Sequence, residues 1–214
     1  MIDDDYYPGP MGEIGAAKRQ VRGRVRDARR ALGAEARRRL GDALARVLEE
    51  HVPAGSRVAA YLPMPEEPDV RPFLAHHLAR GGEVALPRVA ETAEPQLEWV
   101  DWTLEAPTRR HPVLPLDEPE GPGREIERLL DQGPLLMLLP ALAVDTRGHR
   151  LGQGGGYYDR LFARLDAAGR LTDVAAWAVV GPGEVLPPGT FPVEAHDLQV
   201  EAVVTPERLR RLVL

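Results

Sequence analysis

Apolar residues recur at helical spacing along the first part of the chain and then give way to short continuous runs. That order predicts helices wrapped onto a sheet. Val21, Val25, Ala28 and Leu32 fall on one face of a helix predicted over residues 16–32, and Gly33 is placed to end it. Leu40, Leu44, Val47 and Leu48 mark the inner face of a second helix over 34–50. The pattern then shortens. Residues 57–62 and 83–87 read as strands, separated by a helix over 69–80 that Gly81-Gly82 breaks. Alternating Leu97-Glu98-Trp99-Val100 predicts an exposed or edge strand. Residues 107–122 read as a proline-punctuated loop, and 124–131 as a short helix. Between Pro134 and Pro140 every residue is apolar, the pattern of a strand buried on both faces of a parallel sheet. A helix over 157–168 and strands over 174–180 and 202–204 complete the series. The alternation predicts an α/β chain, a single three-layer α/β/α domain over 15–214 with a mainly parallel sheet. Residues 1–14 show no period and read as a mobile tail.

Composition narrows the function. The chain has no cysteine, so disulfides and thiolate chemistry are excluded. No apolar run approaches the ~18 residues of a membrane span, and Met1-Ile2-Asp3-Asp4-Asp5 is acidic where a secretory signal is basic. A soluble cytoplasmic protein, monomeric and without a membrane partner, is expected. The net charge of −6 argues against a surface built for nucleic acid, although arginines crowd residues 18–39.

The candidate chemistry lies after the apolar strand, in Asp145-Thr146-Arg147-Gly148-His149-Arg150-Leu151-Gly152-Gln153-Gly154-Gly155-Gly156-Tyr157-Tyr158-Asp159-Arg160. A loop there lies at the carboxyl edge of a parallel sheet, where ligands bind. Four glycines among residues 152–156 leave backbone N–H groups free to converge on an anion, beside a helix N-terminus. Arg150, read as a loop residue, adds a forked cation for phosphate oxygens. The spacing is neither a Walker loop nor a dinucleotide fingerprint.

This segment, with Pro140-Ala141-Leu142-Ala143-Val144 before it, resembles the signature of the 5-formyltetrahydrofolate cyclo-ligases, the 5,10-methenyltetrahydrofolate synthetases. Three more segments resemble the same family: Lys18-x-x-x-Arg22, Tyr61-Leu62-Pro63-Met64-Pro65-Glu66-Glu67-Pro68-Asp69, and Glu194-Ala195-His196-Asp197 followed by Val203-Val204-Thr205. The resemblance implies an enzyme that closes 5-formyltetrahydrofolate to the methenyl form, with ATP as co-substrate and Mg²⁺ as cofactor. It implies ATP binding by Lys18, Arg22, Arg150, Leu151, Gly152, Gln153, Gly154, Gly155, Gly156, Tyr157 and Tyr158. Arg150, Lys18 and Arg22 would carry the catalytic charge. Leu62, Met64, Glu67, Tyr157 and Tyr158 would bind the folate, and Asp159 and Asp197 the metal.

Each position has its own chemistry. Lys18 and Arg22, four apart, share a helix face that can grip a triphosphate, or simply a solvated basic face. Glu67 can accept hydrogen bonds from pterin N–H groups, or stand as an exposed acid in a turn. Leu62 and Met64 fit an apolar wall or a strand end. Asp159 and Asp197 are hard-oxygen ligands of the kind Mg²⁺ takes with phosphates and water. Asp159 equally suits the first turn of a helix. His196 beside Asp197 lacks the companions of a zinc site. Gln153 and Gly155 stand where some members carry basic residues, which bears on the nucleotide, and Val70 stands where the family often has Thr, which removes one possible hydroxyl contact. The other readings are another phosphate-using enzyme on the same architecture, a silent folate-binding relative and, weakest, an RNA-binding helix.

Overall fold

The computed structural model describes residues 12–90, 92, 96–195 and 197–212. Two long helices come first, α1 (Glu13–Arg30) and α2 (Ala34–His51), then β1 (Arg57–Ala59), α3 (Arg71–Ala79), β2 (Glu83–Val89) and β3 (Leu97–Asp101). A hairpin follows, β4 (Thr108–Arg110) and β5 (Asp117–Pro119), then α4 (Ile126–Leu130), β6 (Leu135–Pro140), β7 (Ala143–Asp145), β8 (Arg150–Leu151) and α5 (Tyr157–Ala167). The chain finishes through β9 (Val174–Val179), β10 (Val185–Leu186), β11 (Ala202–Val204) and β12 (Leu209–Arg211).

The apolar run became the central strand. β6 lies parallel to β1 on one side and to β9 on the other. Its side chains alternate between two cores: Leu135, Met137 and Leu139 enter one, and Leu138 enters the other. Leu44 and Leu48 of α2 with Phe73 and Leu74 of α3 fill the second core. Ile126 and Leu129 of α4 with Leu161 and Leu165 of α5 fill the first. Helices therefore cover both faces of the sheet, the expected α/β/α layering. The strand order is β12-β11-β9-β6-β1-β2-β3, parallel except for β3 and β12 at the two edges. β3 is the predicted edge strand, but Trp99 on it is fully buried.

Several boundaries differ from the sequence pattern for local reasons. α1 begins at Glu13, inside the stretch read as a tail, and residues 1–11 lie outside the described residues. β1 stops at Ala59 because the chain turns through Pro63 and Pro65, with the Tyr61 hydroxyl donating to Pro68 O at 2.8 Å. α3 starts at Arg71, where Pro72 presets the first turn and Asp69 Oδ1 accepts the Arg71 N–H at 3.0 Å. The loop predicted over 107–122 contains the β4–β5 hairpin, paired Thr108 to Pro119 and Arg110 to Asp117. β7, β8 and β10 form a small sheet of their own, too short to leave a periodic trace.

The largest correction concerns α1. Of its predicted apolar stripe Val21 is buried, whereas Ala28 is exposed. The buried positions are Gly15, Lys18, Val21, Arg26 and Arg29. A buried cation is tolerated only where acceptors meet it, and here they do. Arg29 donates to Glu184 Oε1 at 2.7 Å and Oε2 at 2.6 Å, and to Ala141 O at 2.7 Å. Lys18, Arg26 and Arg29 look inward, whereas Arg24 and Arg30 stay exposed.

Candidate active site

β1 leads by α3 to β2 on one side of itself, whereas β6 leads by α5 to β9 on the other. The order reverses between β1 and β6, and a crevice opens at the carboxyl ends of strands at such a point. A cleft of about 530 Å³ lies there. Tyr61, Leu62, Met64 and Glu67 reach it from the turn after β1, Pro87 and Val89 from the end of β2, and Pro140 from the end of β6. Lys18 and Arg22 enter from α1, Arg150 through Asp159 from β8 and the loop into α5, and Asp197 from the loop before β11. Every site residue named from the sequence borders this one cleft, although they span the chain from α1 to the approach to β11.

The glycine loop is shaped by side chains on either side of it. Arg150 is a residue of β8 and only 7% exposed, not a surface loop residue, and its backbone N–H donates to Leu198 O at 3.1 Å. Its guanidinium carbon lies 5.3 Å from the Tyr158 ring centroid. Its Nε and Nη1 are buried without a hydrogen-bond partner. A methyl group at position 152 would stand on that guanidinium and displace it, so glycine there leaves Arg150 its present place. Gly156 caps α5 at φ 67°, a left-handed conformation natural to glycine. Arg160 lies over the Tyr157 ring at 5.5 Å and donates to Gly155 O at 2.6 Å. Arg22 ties α1 to the same loop, with Nε donating to Gly152 O at 2.8 Å.

Lys18 is held by carboxylates. Its Nζ donates to Asp197 Oδ1 at 2.8 Å, Asp197 Oδ2 at 2.6 Å and Glu194 Oε2 at 3.0 Å. The Glu194–Asp197 turn reaches α1 because the following residues run antiparallel to the start of the glycine segment, His149 opposite Gln199. Asp159 Oδ1 accepts the Leu198 N–H at 3.2 Å, so the two aspartates flank one short stretch. Among the described residues no group of three or more His, Cys, Asp or Glu side chains gathers as a metal cage. Two carboxylates bordering one cleft are still compatible with Mg²⁺, which keeps water and phosphate in most of its coordination positions. His196, weighed for zinc, lies outside the described residues.

On the opposite wall Glu67 is half-buried. Its Oε2 accepts the Met64 N–H at 3.1 Å and its Oε1 accepts Gln153 Nε2 at 3.2 Å. Burial raises its carboxyl above the usual 4.5. The Met64 N–H, Gln153, Arg29 and Arg150 counter that rise. Burial likewise pushes the hydroxyls of Tyr61 and Tyr158 up, and neighbouring Glu67 adds to it. Tyr158 packs against the core while also facing the cleft; Tyr157 stands further out.

Sequence reasoning missed Arg26, Arg29 and Glu118. Arg26 donates to Gln153 Oε1 at 3.0 Å. Glu118, fully buried in the cleft wall, accepts the Val89 N–H at 2.7 Å. The first two were hidden among six arginines between residues 19 and 30. Glu118 was hidden because the hairpin that places it had been read as loop.

Residues 14–206 match the model of the 5-formyltetrahydrofolate cyclo-ligase family. The 5-formyltetrahydrofolate cyclo-ligase of Mycolicibacterium smegmatis is 33% identical over 156 residues, 72% of this chain and 76% of that one. The mouse protein of the same name is 27% identical over 199 residues, 89% and 94% of the two chains. The solved structure of the Aquifex aeolicus 5,10-methenyltetrahydrofolate synthetase superposes with a TM-score of 0.68 at 27% identity, covering 91% of this chain and 92% of that one. The chain belongs to the 5-formyltetrahydrofolate cyclo-ligase family.

Proposed function

We propose that this cleft converts 5-formyltetrahydrofolate to 5,10-methenyltetrahydrofolate with ATP as co-substrate, releasing ADP and phosphate. The formyl group on N5 is an amide, with a weakly electrophilic carbon and an oxygen that leaves poorly. Transfer of the γ-phosphoryl of ATP to that oxygen turns it into a leaving group and the carbon into an iminium. N10 then attacks the carbon, gives up its proton, and phosphate departs as the methenyl bridge closes. Such chemistry needs positioning and charge neutralisation more than a protein nucleophile.

The observation that carries this reading is Arg150. Two of its N–H-bearing nitrogens are buried without partners between the glycine loop and Tyr158, in a cleft whose far wall holds Glu67. An anion received there would satisfy donors that nothing else satisfies. Arg150, Lys18 and Arg22 neutralise the phosphates, with the backbone of residues 151–158 around them. Leu62, Met64, Tyr157 and Tyr158 form the walls for the folate, and Glu67 accepts from its pterin ring. Asp159 and Asp197 would hold Mg²⁺, which supplies further neutralisation of phosphate charge when bound. Residues 15–214 act as one catalytic domain, with α1 extending it back to Glu13. The enzyme works as a cytoplasmic monomer; among the described residues no helix is long and apolar enough to cross a membrane.

The test mixes protein, MgATP and 5-formyltetrahydrofolate and follows the near-ultraviolet absorbance of the methenyl product. Product formation that requires both substrates supports the reading. Binding of ATP with no turnover of formylfolate would instead indicate a different phosphate-using enzyme on the same fold.

A further inference from the structure

Gln153 is the only residue with a side chain between Gly152 and Gly156, and it reaches across the cleft. Arg26 Nε and Nη2 donate to its Oε1 at 3.3 Å and 3.0 Å, and Arg26 Nη2 also donates to its carbonyl oxygen at 3.3 Å. With guanidinium donors on the oxygen, the amide must present its N–H₂ on the other side. There Nε2 lies 3.2 Å from Glu67 Oε1. Turning the amide over would set N–H₂ against guanidinium and C=O against carboxylate, two repulsive contacts in place of two attractive ones.

Resting on the reading of Glu67 as the pterin acceptor, we propose that Gln153 is a positioning residue for the folate, its side chain serving Glu67 and not the nucleotide. Held by Arg26, its amide fixes the Glu67 carboxylate in the orientation that receives pterin N–H groups. The Met64 N–H holds the other oxygen at 3.1 Å, so the carboxylate is gripped at both ends. Each oxygen keeps a further acceptor site for ligand. The charged and titratable groups around Glu67 are Arg29 and Arg150, which favour its ionised form, and the hydroxyls of Tyr61 and Tyr158. Gln153 adds an uncharged donor to that set. It favours the ionised carboxylate against the effect of burial, without forming an ion pair that the pterin would have to break.

The test compares wild type with Gln153→Met and Gln153→Glu in steady-state turnover with MgATP and 5-formyltetrahydrofolate. Gln153→Met should raise the KM for formylfolate roughly tenfold, the scale of one hydrogen bond to a charged group. The KM for MgATP should change less than about twofold, and this doubles as the control for an intact glycine loop. The acid limb of kcat/KM for formylfolate should move to higher pH, since Glu67 loses a donor that favours its ionised form. Gln153→Glu sets a second carboxylate toward Glu67 and should raise the formylfolate KM further. A rise in MgATP KM with the formylfolate KM unchanged, or equal rises in both, overturns the proposal. Glu67→Gln separates the two layers of inference. If it raises the formylfolate KM while Gln153→Met does not, only the role of Gln153 fails. If it leaves that KM at the wild-type value, the pterin reading fails and the proposal falls with it.

Discussion

Lys18 Nζ lies 2.8 Å and 2.6 Å from the two carboxylate oxygens of Asp197. The lysine read as a phosphate ligand and the aspartate read as a metal ligand are thus each other's partners. On the proposed reading, loading MgATP would exchange that contact for two others: ammonium to phosphate and carboxylate to metal. Asp197→Asn weakens both ends of the exchange. It should raise the Mg²⁺ concentration needed for half-maximal turnover, and lower stability by about 1–3 kcal/mol, because Lys18 is left buried with Glu194 alone. A Mg²⁺ titration beside a urea denaturation curve measures both, and an unchanged titration would remove Asp197 from the metal site.

Asp159→Asn is the cleaner metal probe. The amide oxygen of asparagine can still accept the Leu198 N–H that Asp159 Oδ1 accepts at 3.2 Å. The fold should therefore be retained while the Mg²⁺ requirement rises. The expected result is a shifted Mg²⁺ titration at constant melting temperature. A shift in melting temperature with an unchanged titration would assign Asp159 to structure.

Arg150→Lys should lower kcat by roughly 10²-fold or more, the scale of losing one charge-stabilising donor. A lysine cannot reproduce parallel guanidinium bonds or the guanidinium placed over the Tyr158 ring. The stability of the free protein should change little, for a reason different from surface exposure. The favourable ring contact is offset by two buried N–H-bearing nitrogens with no acceptor. The rise in melting temperature on adding MgATP should shrink in the variant, because ligand stabilisation follows affinity. Wild-type kcat in the variant would leave the nucleotide to the loop amides.

Glu67→Gln should weaken formylfolate by about 1.5–3 kcal/mol, and MgATP far less, through loss of charge-assisted bonds. Its pH dependence has a definite sign. Burial holds the folded-state carboxyl above the usual 4.5. An acid raised in this way favours the fold below its unfolded value, and that contribution is lost as pH rises through the folded value. The melting temperature of the variant relative to wild type should therefore rise as pH increases and fall on acidification, on top of a constant loss from setting the new amide N–H₂ against the Met64 or Gln153 donor. The acid limb of kcat/KM for formylfolate should lie above the usual carboxylate range in wild type and vanish in the variant. Thermal melts and pH–rate profiles of the two proteins decide the matter.

Arg29→Met should destabilise the protein by about 3–5 kcal/mol, since it leaves Glu184 buried and uncompensated. Replacing both partners, Arg29→Met with Glu184→Leu, should recover much of that loss, which denaturant unfolding would show.

The layering of helices on a parallel sheet was legible because it depends on local periodicity and composition. Leu135–Pro140 reads as a buried central strand with no knowledge of its neighbours. Gly152 and glycines 154–156 with Arg150, Tyr157 and Tyr158 likewise announce a loop and helix start at the carboxyl edge of the sheet, and the structure places them on the cleft. What the sequence by itself determined was the set of elements and the residue types that border the cleft. The tertiary structure decided which of them face one another. The inward turn of Lys18, Arg26 and Arg29 could not be read from α1, because a cation is buried only where distant acceptors are brought to it. Those acceptors, Asp197, Gln153 and Glu184, lie 127 to 179 residues away in sequence. Only long-range pairing, His149 with Gln199 and β10 with β7, sets them against the helix. Periodicity reports which face of a helix is apolar; whether a charged face meets water or protein depends on the opposing surface, which the fold alone supplies.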